Sequence, residues 1–386
     1  MPNILGSGSI PDSIGNLTSV SYIHFGNNML SGTIPATLAN LKTLTEVHFE
    51  GNFLVGSLPD FGQMTLLQRA YFASNSLSGP IPSSIGQLSE LLDINLSSNG
   101  LSGSIPDSIC NLQKLWYFFA FSNSLTGSIP SCTGNMTTLS QIQVFTNYLT
   151  GPIPDSIGQL NNLLMAHFAI NDISGTIPEG LCNATSLSYL YLYGNALSGS
   201  IPGCIGQMTK LSDLELFANQ LTGTIPAGLW NARNLAYLII SGNKLEGTIS
   251  DSLGNLSHLR TLQVSDNQLS GSIPSTIGKL DVLETVYFYN NLFSGTLPES
   301  VFTLPRLSIL ALYNNRFTGT LSPLIGQAQR LKNFQLYQNQ FYGSIPAEIG
   351  QISTLRYFYA HGNAFSGTIP DSIGNLGVLE QLYLSN

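Results

Sequence analysis

Residues 91–106 read LLDINLSSNGLSGSIP, and variants of this stretch follow one another along almost the whole chain. Its asparagine, Asn99, recurs at steps of 24 residues, with one step of 23 between Asn52 and Asn75. Apolar residues precede nearly every such asparagine by eight, five and three positions, and a glycine follows each one by four. We call these residues the ladder asparagines: Asn28, Asn52, Asn75, Asn99, Asn123, Asn147, Asn171, Asn195, Asn219, Asn243, Asn267, Asn291, Asn315, Asn339 and Asn363.

A fixed period of this length predicts a solenoid of stacked coils. Alternate apolar residues on a short strand point to one side, and no single coil can bury them, so neighbouring coils must share one long core. Each ladder asparagine is expected to point inward and to hydrogen-bond backbone groups of its own coil and of the next coil. An amphipathic helix would instead show a period of about 3.6 residues without a fixed glycine or proline.

The segment that follows each ladder asparagine narrows the prediction. It has the form SGxIPxxIGNL, for example SGTIPDSIGNL at 366–376, and it resembles the plant-type leucine-rich repeats of receptor-kinase ectodomains and polygalacturonase-inhibiting proteins. The resemblance implies a right-handed leucine-rich-repeat solenoid of about 16 coils of 24 residues. It also implies a parallel concave β-sheet, a second short sheet and 3-10 turns on the convex side, and a ligand on the concave side. The fold itself carries many binding functions, so it does not name the ligand.

We expect residues 1–386 to form a single continuous leucine-rich-repeat domain, because a solenoid grows in one dimension without starting a new core. Unlike typical members of the family that it resembles, the chain shows no cysteine-bearing cap, kinase or transmembrane stretch. Both ends lack the polar caps that solenoids need, so we expect the chain to be part of a longer protein. Head-to-tail self-association through the uncapped ends is the alternative.

The amino-acid composition limits the kinds of partner and activity that the chain can have. Charged residues make up 9% of the chain, and the net charge of −8 is spread thinly, which favours an extracellular or cell-surface location. The 13 lysines and arginines form no basic stripe, so we expect no nucleic-acid partner. There is no phosphate loop, no HExxH or GxSxG motif and no recurring carboxylate pair. We therefore expect no enzyme, no catalytic residue, no cofactor and no membrane insertion in this segment.

The four cysteines suggest two disulfides. Cys110 and Cys132 are 22 residues apart, and so are Cys182 and Cys204, at the same position relative to the ladder asparagines. Adjacent coils lie about 4.8 Å apart, which brings each pair within disulfide reach. We predict the disulfides Cys110–Cys132 and Cys182–Cys204, which are typical of secreted proteins. Four unpaired core residues and a metal site are the alternatives.

Sequons of the form Asn-x-Ser/Thr recur on the convex side. Apart from Asn95, they share one position of the repeat, and the family motif also generates them without any role. We expect some of them to carry glycans in a eukaryotic secretory pathway. The candidates are Asn16, Asn135, Asn183 and Asn255.

Side chains six, four and two positions before each ladder asparagine should face solvent from the concave sheet. These three columns hold 14 of the 16 tyrosines, which folding does not require there. A contiguous exposed aromatic patch normally marks a binding site, although the strand preference of aromatic residues is an alternative explanation. About sixteen strands spaced by about 4.8 Å give a track of roughly 75 Å, suited to an extended peptide, a protein or a glycan. The predicted ligand-binding residues are Tyr117, Phe119, Phe121, Phe145, Tyr189, Tyr191, Tyr193, Phe217, Tyr237, Tyr287, Tyr289, Tyr313, Tyr337, Tyr357 and Tyr359.

Near the N-terminus the same columns change character. Here His24, Glu46, His48 and Glu50 should lie close together. We favour a polar or pH-sensitive patch and predict no metal ligand, although histidine and carboxylate together suit zinc.

The leading functional prediction is an extracellular recognition module that binds a peptide, protein or glycan on its Tyr-rich concave sheet. One alternative is a structural or adhesive cell-surface repeat protein. The other is ice binding, because serine and threonine recur three and five positions after most ladder asparagines, as at Thr224 and Thr248. These two files of hydroxyls flank the fixed glycines, and a regular array of this kind can match a water lattice.

Overall fold

The computed structural model describes residues 8–385, which form two compact units, one ending at Leu197 and the other beginning at Ser198. Both units are built from the same coil. A three-residue strand leads to a turn at the ladder asparagine, then to a short strand at the fixed glycine and a 3-10 turn. The described residues contain no α-helix.

The main sheet of the first unit is parallel and follows the chain order. Each strand pairs with the strand of the next coil, as Tyr117 does with Gln141. Its eight strands are Tyr22–His24, Glu46–His48, Arg69–Tyr71, Asp93–Asn95, Tyr117–Phe119, Gln141–Gln143, Met165–His167 and Tyr189–Tyr191.

The main sheet of the second unit repeats this arrangement, as the pairing of Asn333 with Tyr357 shows. Its eight strands are Asp213–Glu215, Tyr237–Ile239, Thr261–Gln263, Thr285–Tyr287, Ile309–Ala311, Asn333–Gln335, Tyr357–Tyr359 and Gln381–Tyr383.

Short strands around the fixed glycines form the second set of parallel pairings. Up to Leu197 they are Gly8–Ser9, Leu30–Thr33, Phe53–Gly56, Ser76–Pro80, Gly100–Ser104, Ser124–Thr126, Thr150–Gly151 and Asp172–Thr176, followed by Ala196–Ser198. In the second unit they are Thr222–Thr224, Lys244–Thr248, Gln268–Gly271, Leu292–Gly295, Arg316–Gly319, Gln340–Gly343 and Ala364–Phe365. Gly247 has a φ of 83°, a left-handed conformation that favours glycine, and a Cβ on it would lie 2.8 Å from the methyl group of Thr224 in the preceding coil.

A 3-10 turn completes most coils. The repeat proline precedes the turn in an extended conformation, and its carbonyl accepts the first backbone bond, as at Pro106. Ser250 and Ser322 replace proline in two coils, and their hydroxyls accept a backbone N–H two residues later. The 3-10 turns are Asp12–Asn16, Ala36–Asn40, Ser83–Gln87, Asp107–Asn111, Thr133–Asn135, Asp155–Gln159, Glu179–Asn183, Gly203–Gln207, Ala227–Asn231, Asp251–Asn255, Ser275–Lys279, Glu299–Val301, Pro323–Gln327, Ala347–Gln351 and Asp371–Asn375.

The core of each unit is the stack of inward-pointing side chains. In one coil Leu91, Ile94 and Leu96 are at most 1% exposed, and the corresponding residues of neighbouring coils are equally buried. The predicted solenoid, with its main parallel sheet, short second sheet and 3-10 turns, is therefore confirmed in both units.

Asn99 shows how the ladder asparagines join the coils. Its Nδ2 donates to the carbonyls of Leu96 and Ser97 in its own coil, at 3.2 and 3.1 Å. The same Nδ2 donates to the carbonyl of Phe72 at 3.0 Å, and Oδ1 accepts from the N–H of Leu77 at 3.0 Å, both in the preceding coil. The predicted bond to the next coil was wrong, because the backbone groups left unpaired in each coil face the asparagine of the coil that follows.

The residue before each ladder asparagine adopts a left-handed backbone conformation, with φ between 52° and 66°. Glycine, asparagine and aspartate tolerate this region well, and they fill about half of these positions. Ile170, with φ of 54°, is β-branched, which makes the conformation costly there.

All four cysteines are disulfide-bonded, as predicted. Cys110 and Cys132 join consecutive coils of the first unit with Cα atoms 5.9 Å apart, and Cys182 and Cys204 are each in a disulfide. No helix within residues 8–385 is long and apolar enough to cross a lipid bilayer.

Candidate functional site

The strands of the main sheet decide which aromatic side chains reach solvent. In the strand Tyr357–Tyr359, Phe358 is fully buried while the tyrosines on either side point outward. We call the outward side of the main sheet in each unit the aromatic face; it consists of the side chains six, four and two positions before each ladder asparagine. Alternation along a strand thus places the predicted tyrosines on one surface.

The second unit carries an uninterrupted column of stacked rings on this face. Tyr289 and Tyr313 stack with centroids 4.4 Å apart and planes within 5° of parallel. Tyr313 stacks on Tyr337 at 4.3 Å, and Tyr337 on His361 at 4.5 Å. We call these four residues the tyrosine column. The rings are half-buried against one another rather than fully exposed, because the strand spacing brings neighbouring rings into stacking distance.

Burial raises the pKa of tyrosine hydroxyls in this column and beside it. Desolvation, followed by the neighbouring phenols, raises the pKa of Tyr313 well above its ordinary value. Desolvation also raises the pKa of Tyr337 and of Tyr287. Tyr313, Tyr337 and Tyr287 therefore keep their protons at physiological pH. Each of the three offers both an O–H donor and a flat apolar surface, which is the combination that makes tyrosine effective in recognition.

Two further tyrosines border the column. The Tyr357 hydroxyl donates to Glu380 at 2.6 Å, and Arg356 pairs with the same carboxylate at 2.7 Å. Tyr359 lies beside Tyr337 with ring centroids 6.4 Å apart. The aromatic surface therefore continues into the neighbouring columns, with orientations fixed partly by hydrogen bonds.

A cationic depression of about 440 Å³ lies in the second unit, lined by residues that precede the strands of the main sheet. Arg306, Arg330 and Lys332 are exposed and form no ion pair within residues 8–385. Ser308, Thr354 and Glu284 complete the lining. Glu284 is already paired with Arg260 at 3.0 Å, so the depression has a net positive charge that suits an acidic group.

The first unit has a shorter and less polar stack. Phe121 and Phe145 are parallel at 4.5 Å, and Phe145 stacks on His167 at 4.0 Å. Burial lowers the pKa of His167 to about 4, and its Nε2 has no hydrogen-bond partner. His167 is therefore a neutral aromatic ring at physiological pH.

A depression of about 430 Å³ lies in the first unit, and its lining exposes more apolar than polar surface. Trp116 is 53% exposed and Leu164 is 41% exposed, and they line it together with Tyr117 and small polar side chains. No lysine or arginine lines it, so this edge differs in chemistry from the cationic depression.

The N-terminal patch forms as the sequence predicts. His24 and His48 face each other across neighbouring strands with ring centroids 4.9 Å apart. His48 lies between two carboxylates, with Nε2 3.5 Å from Glu46 and Nδ1 3.7 Å from Glu50. Arg69 pairs with Glu46 on its other side.

The remaining predicted positions are placed as follows. Tyr189 and Tyr237 are each 38% exposed, and the other predicted aromatic residues are half-buried. The sequon residues at the ends of 3-10 turns are exposed: Asn16, Asn135, Asn183 and Asn255.

The files of hydroxyls on the short strands are not uniform. Glu246 and Tyr342 interrupt them in the second unit, and Val55, Pro80 and Pro152 do so in the first. Tyr342, 55% exposed, and Tyr148, 59% exposed, are the tyrosines outside the aromatic face.

Sequence reasoning missed the cationic depression, because it considered only positions on the strands. A signal was present, since Arg306 and Arg330 are one repeat of 24 residues apart, and so are Lys332 and Arg356. Side chains one repeat apart lie side by side in a solenoid, so this recurrence of cations could have revealed the cluster.

Comparison with known proteins supports this architecture. The Leucine Rich Repeat family profile matches residues 90–112, 186–208, 234–256, 258–280 and 354–376. No curated protein sequence matches the chain.

Solved structures are similar over nearly the whole chain. One is the leucine-rich-repeat ectodomain of the Arabidopsis thaliana receptor kinase GASSHO1/SCHENGEN3 in complex with CASPARIAN STRIP INTEGRITY FACTOR 2. It is 33% identical with a TM-score of 0.83, over 98% of this chain and 49% of that one. Another is the Arabidopsis receptor kinase HAESA with the peptide hormone IDA and the co-receptor SERK1, 33% identical with a TM-score of 0.85, over 98% of this chain and 68% of that one. The chain thus spans about half the length of the first relative.

A third similar structure is a plant ice-binding protein, 31% identical with a TM-score of 0.53, over 60% of this chain and 73% of that one.

Proposed function

Since this chain belongs to the plant-type leucine-rich-repeat family, we propose that it is an extracellular recognition module that binds an extended peptide along its aromatic face. Two of the similar structures are of plant receptor kinases, one of them an ectodomain and the other a complex with a peptide hormone and a co-receptor. These relatives support a protein-interaction role. The aromatic face and the class of ligand are our proposal.

The tyrosine column is the observation that carries the proposal. Folding needs only the inward side chains, yet Tyr289, Tyr313 and Tyr337 form a continuous polar and aromatic surface on the outward side. Large, rigid side chains with a hydroxyl give contact area at little cost in side-chain entropy. An extended peptide lying across the strands would place successive side chains against successive rings.

The cationic depression favours an acidic peptide. Arg306, Arg330 and Lys332 have no acidic partner within the described chain, so an incoming carboxylate would meet charge that is not already neutralised. Charge complementarity of this kind raises association rates and selects among partners. The proposed ligand is therefore an extended peptide that carries an acidic group.

Selection from a displayed peptide library tests the proposal. Random peptides of about twelve residues, which span about 40 Å when extended, are selected against the immobilised chain. The Tyr313→Ser and Tyr337→Ser double variant should lose the enriched peptides, with affinity falling at least about a hundredfold, as expected for central aromatic anchors. Affinity is then measured by calorimetry with individual peptides.

Tyr342→Ser is the matched control. It removes an exposed tyrosine from the short sheet, outside the aromatic face, and should leave the enrichment unchanged. Two outcomes would contradict binding on the aromatic face. One is an equal loss of peptide affinity with Tyr342→Ser and with the double variant, and the other is a double variant that binds the selected peptides as tightly as the native chain.

Ice binding is the second candidate, favoured by the similarity to a plant ice-binding protein. The proposed surface is the file of hydroxyls that includes Thr224 and Thr248. Thermal hysteresis that disappears when both threonines are replaced by tyrosine would support it. Absence of hysteresis in the native chain would eliminate it, and the interruptions at Glu246 and Tyr342 lead us to expect that outcome.

A further inference from the structure

The side chains of His24, His48 and Glu50 converge on the aromatic face of the first unit. Each offers one ligand atom, and these three atoms lie within 4.8 Å of one another. We propose that they form a binding site for a first-row divalent cation of the zinc class, separate from the peptide-binding role. Two imidazoles and a carboxylate are a common ligand set of protein zinc sites that keep an open position.

The backbone brings the three ligands together without strain. His24 and His48 are register partners on adjacent parallel strands, so both rings project from the same face. Glu50 follows His48 by two positions and projects from that face too, since alternate residues along extended chain share a side. The arrangement therefore rests on the sheet itself.

The distances suit a metal ion after small side-chain rotations. Ligand atoms about 2.0–2.2 Å from a tetrahedral ion lie roughly 3.4 Å from one another. The spacing of at most 4.8 Å requires each side chain to move by about 1 Å or less, which χ rotations of His24 and Glu50 can supply.

The carboxylate of Glu50 lies against Gly26, in space that a side chain at position 26 would occupy. A Cβ on Gly26 would lie 2.5 Å from Glu50 Oε1, so the missing side chain makes room for this carboxylate in the neighbouring coil. Glu50 Oε2 is buried and accepts no hydrogen bond. A buried carboxylate oxygen without a donor is costly unless a cation or another partner satisfies it.

His48 is oriented as a metal ligand would be. The rings of Tyr22 and Tyr71 pack on either side of it, with centroids 5.4 and 4.7 Å away. Its Nδ1 faces Glu50, and its Nε2 lies 3.5 Å from Glu46. Coordination through Nδ1 would leave Nε2–H to donate to Glu46, the carboxylate–histidine–metal arrangement that fixes ligating imidazoles in many sites.

Titration calorimetry of the untagged chain with zinc chloride tests the proposal. We expect one equivalent of zinc to bind, and magnesium and calcium, which prefer oxygen ligands, not to compete. His24→Ala, His48→Ala and Glu50→Gln should each weaken zinc binding by at least about tenfold. Cobalt should give the visible absorption of a site of low coordination number, as a readout independent of affinity.

Gly26→Ala removes no ligand but displaces Glu50, so it should also weaken zinc binding by about tenfold or more. His361→Ala is the matched control, because this histidine stacks on tyrosine with no second histidine beside it. His24, His48, Glu50 and His361 lie on the outward face of the sheet, whereas Gly26 is buried, and circular dichroism checks that every variant folds. Zinc binding that is absent, or unaffected by His24→Ala and His48→Ala, would overturn the proposal and leave the cluster as a polar patch.

Discussion

The first unit stacks Phe121 on Phe145 at 4.5 Å, and the second stacks Tyr313 on Tyr337 at 4.3 Å, at the same position of the repeat. The ring geometry is nearly the same, but only the second stack carries hydroxyls. Backbone spacing therefore sets the stacking, while the outward residue sets the chemistry. Binding specificity can vary from coil to coil because the inward residues alone maintain the scaffold.

The edges of the two units differ in the same way. Trp116 and Leu164 line the depression of the first unit, whereas Arg306, Arg330 and Lys332 line that of the second. An apolar edge favours a hydrophobic side chain of a partner, and a cationic edge favours an acidic one. One scaffold thus offers two surfaces of different preference.

The ladder asparagines give the largest expected effect, and it should be equal in the two units. Asn147 and Asn291 are each 7% exposed. Both donate to three carbonyls and accept one N–H. Replacing either by alanine should lower the free energy of unfolding by about 3–5 kcal/mol, since several buried backbone groups lose their partner. Urea unfolding followed by circular dichroism measures this loss.

Asn111→Ala, at the exposed end of a 3-10 turn, is the control and should change the free energy of unfolding by less than about 0.5 kcal/mol. A large difference between Asn147→Ala and Asn291→Ala would show that the two scaffolds are not equivalent.

The period of the sequence predicts the scaffold because it repeats the same physical requirement in every coil. Leu91, Ile94 and Leu96 must be buried, and Asn99 must satisfy backbone groups, so their roles follow from spacing alone. The ladder asparagine bonds the preceding coil because the unpaired backbone groups of that coil face it. The spacing of residues in the sequence does not show which neighbouring coil offers these groups.

The outward surface is less predictable from sequence. Alternation places Tyr313 and Tyr337 on one face, but their half-burial depends on rotamers chosen jointly with neighbouring rings. The position of Glu50 above Gly26 likewise depends on a side-chain conformation. Such features need coordinates, since no periodic constraint acts on solvent-facing side chains.

Removing the cationic edge should give the next largest effect. With an acidic peptide from the library selection, Arg330→Ala combined with Lys332→Ala should weaken binding about tenfold at low salt, since each exposed charge contributes up to about 1 kcal/mol. The difference should shrink in high salt, because screening already removes the attraction. Calorimetry at two salt concentrations measures both effects.

Trp116→Ala changes the apolar edge of the first unit, and its affinity for the same acidic peptide is measured at the same two salt concentrations. It should leave the salt dependence unchanged, since no cation lines that depression. A salt dependence that is unchanged by loss of Arg330 and Lys332 would contradict a role for the cationic edge.

His167 should make stability depend on pH through the stack of the first unit. Burial depresses its pKa to about 4, below the ordinary value near 6.5, so the unfolded chain binds a proton more readily than the folded one. The contribution of neutral His167 to the free energy of unfolding is complete above about pH 6.5 and is lost as the pH falls toward 4. After allowance for partial exposure, the loss should be about 1 kcal/mol.

His167→Phe keeps a ring against Phe145 and removes the titrating group, so its unfolding free energy should fall less between pH 6.5 and 4 than that of the native chain. Tyr337→Phe, in the stack of the second unit, is the control and should retain the native pH dependence. Identical pH profiles for the native chain and His167→Phe would show that this imidazole is protonated as easily in the folded state.

The smallest effect concerns the left-handed residue before the ladder asparagine. Ile170 occupies this position in the first unit with φ of 54°, and Asn290 occupies it in the second with φ of 53°. Ile170 is 48% exposed, so its side chain gains little from burial that could offset the backbone cost. Ile170→Asn should therefore raise the free energy of unfolding by about 0.5–1 kcal/mol. Asn290→Ile should lower the free energy of unfolding by at least as much, because this variant also loses the hydrogen bond from Asn290 to Asp266. Matched urea unfolding curves decide the sign, and destabilisation by Ile170→Asn would mean that the contacts of the isoleucine side chain outweigh the strain in its backbone.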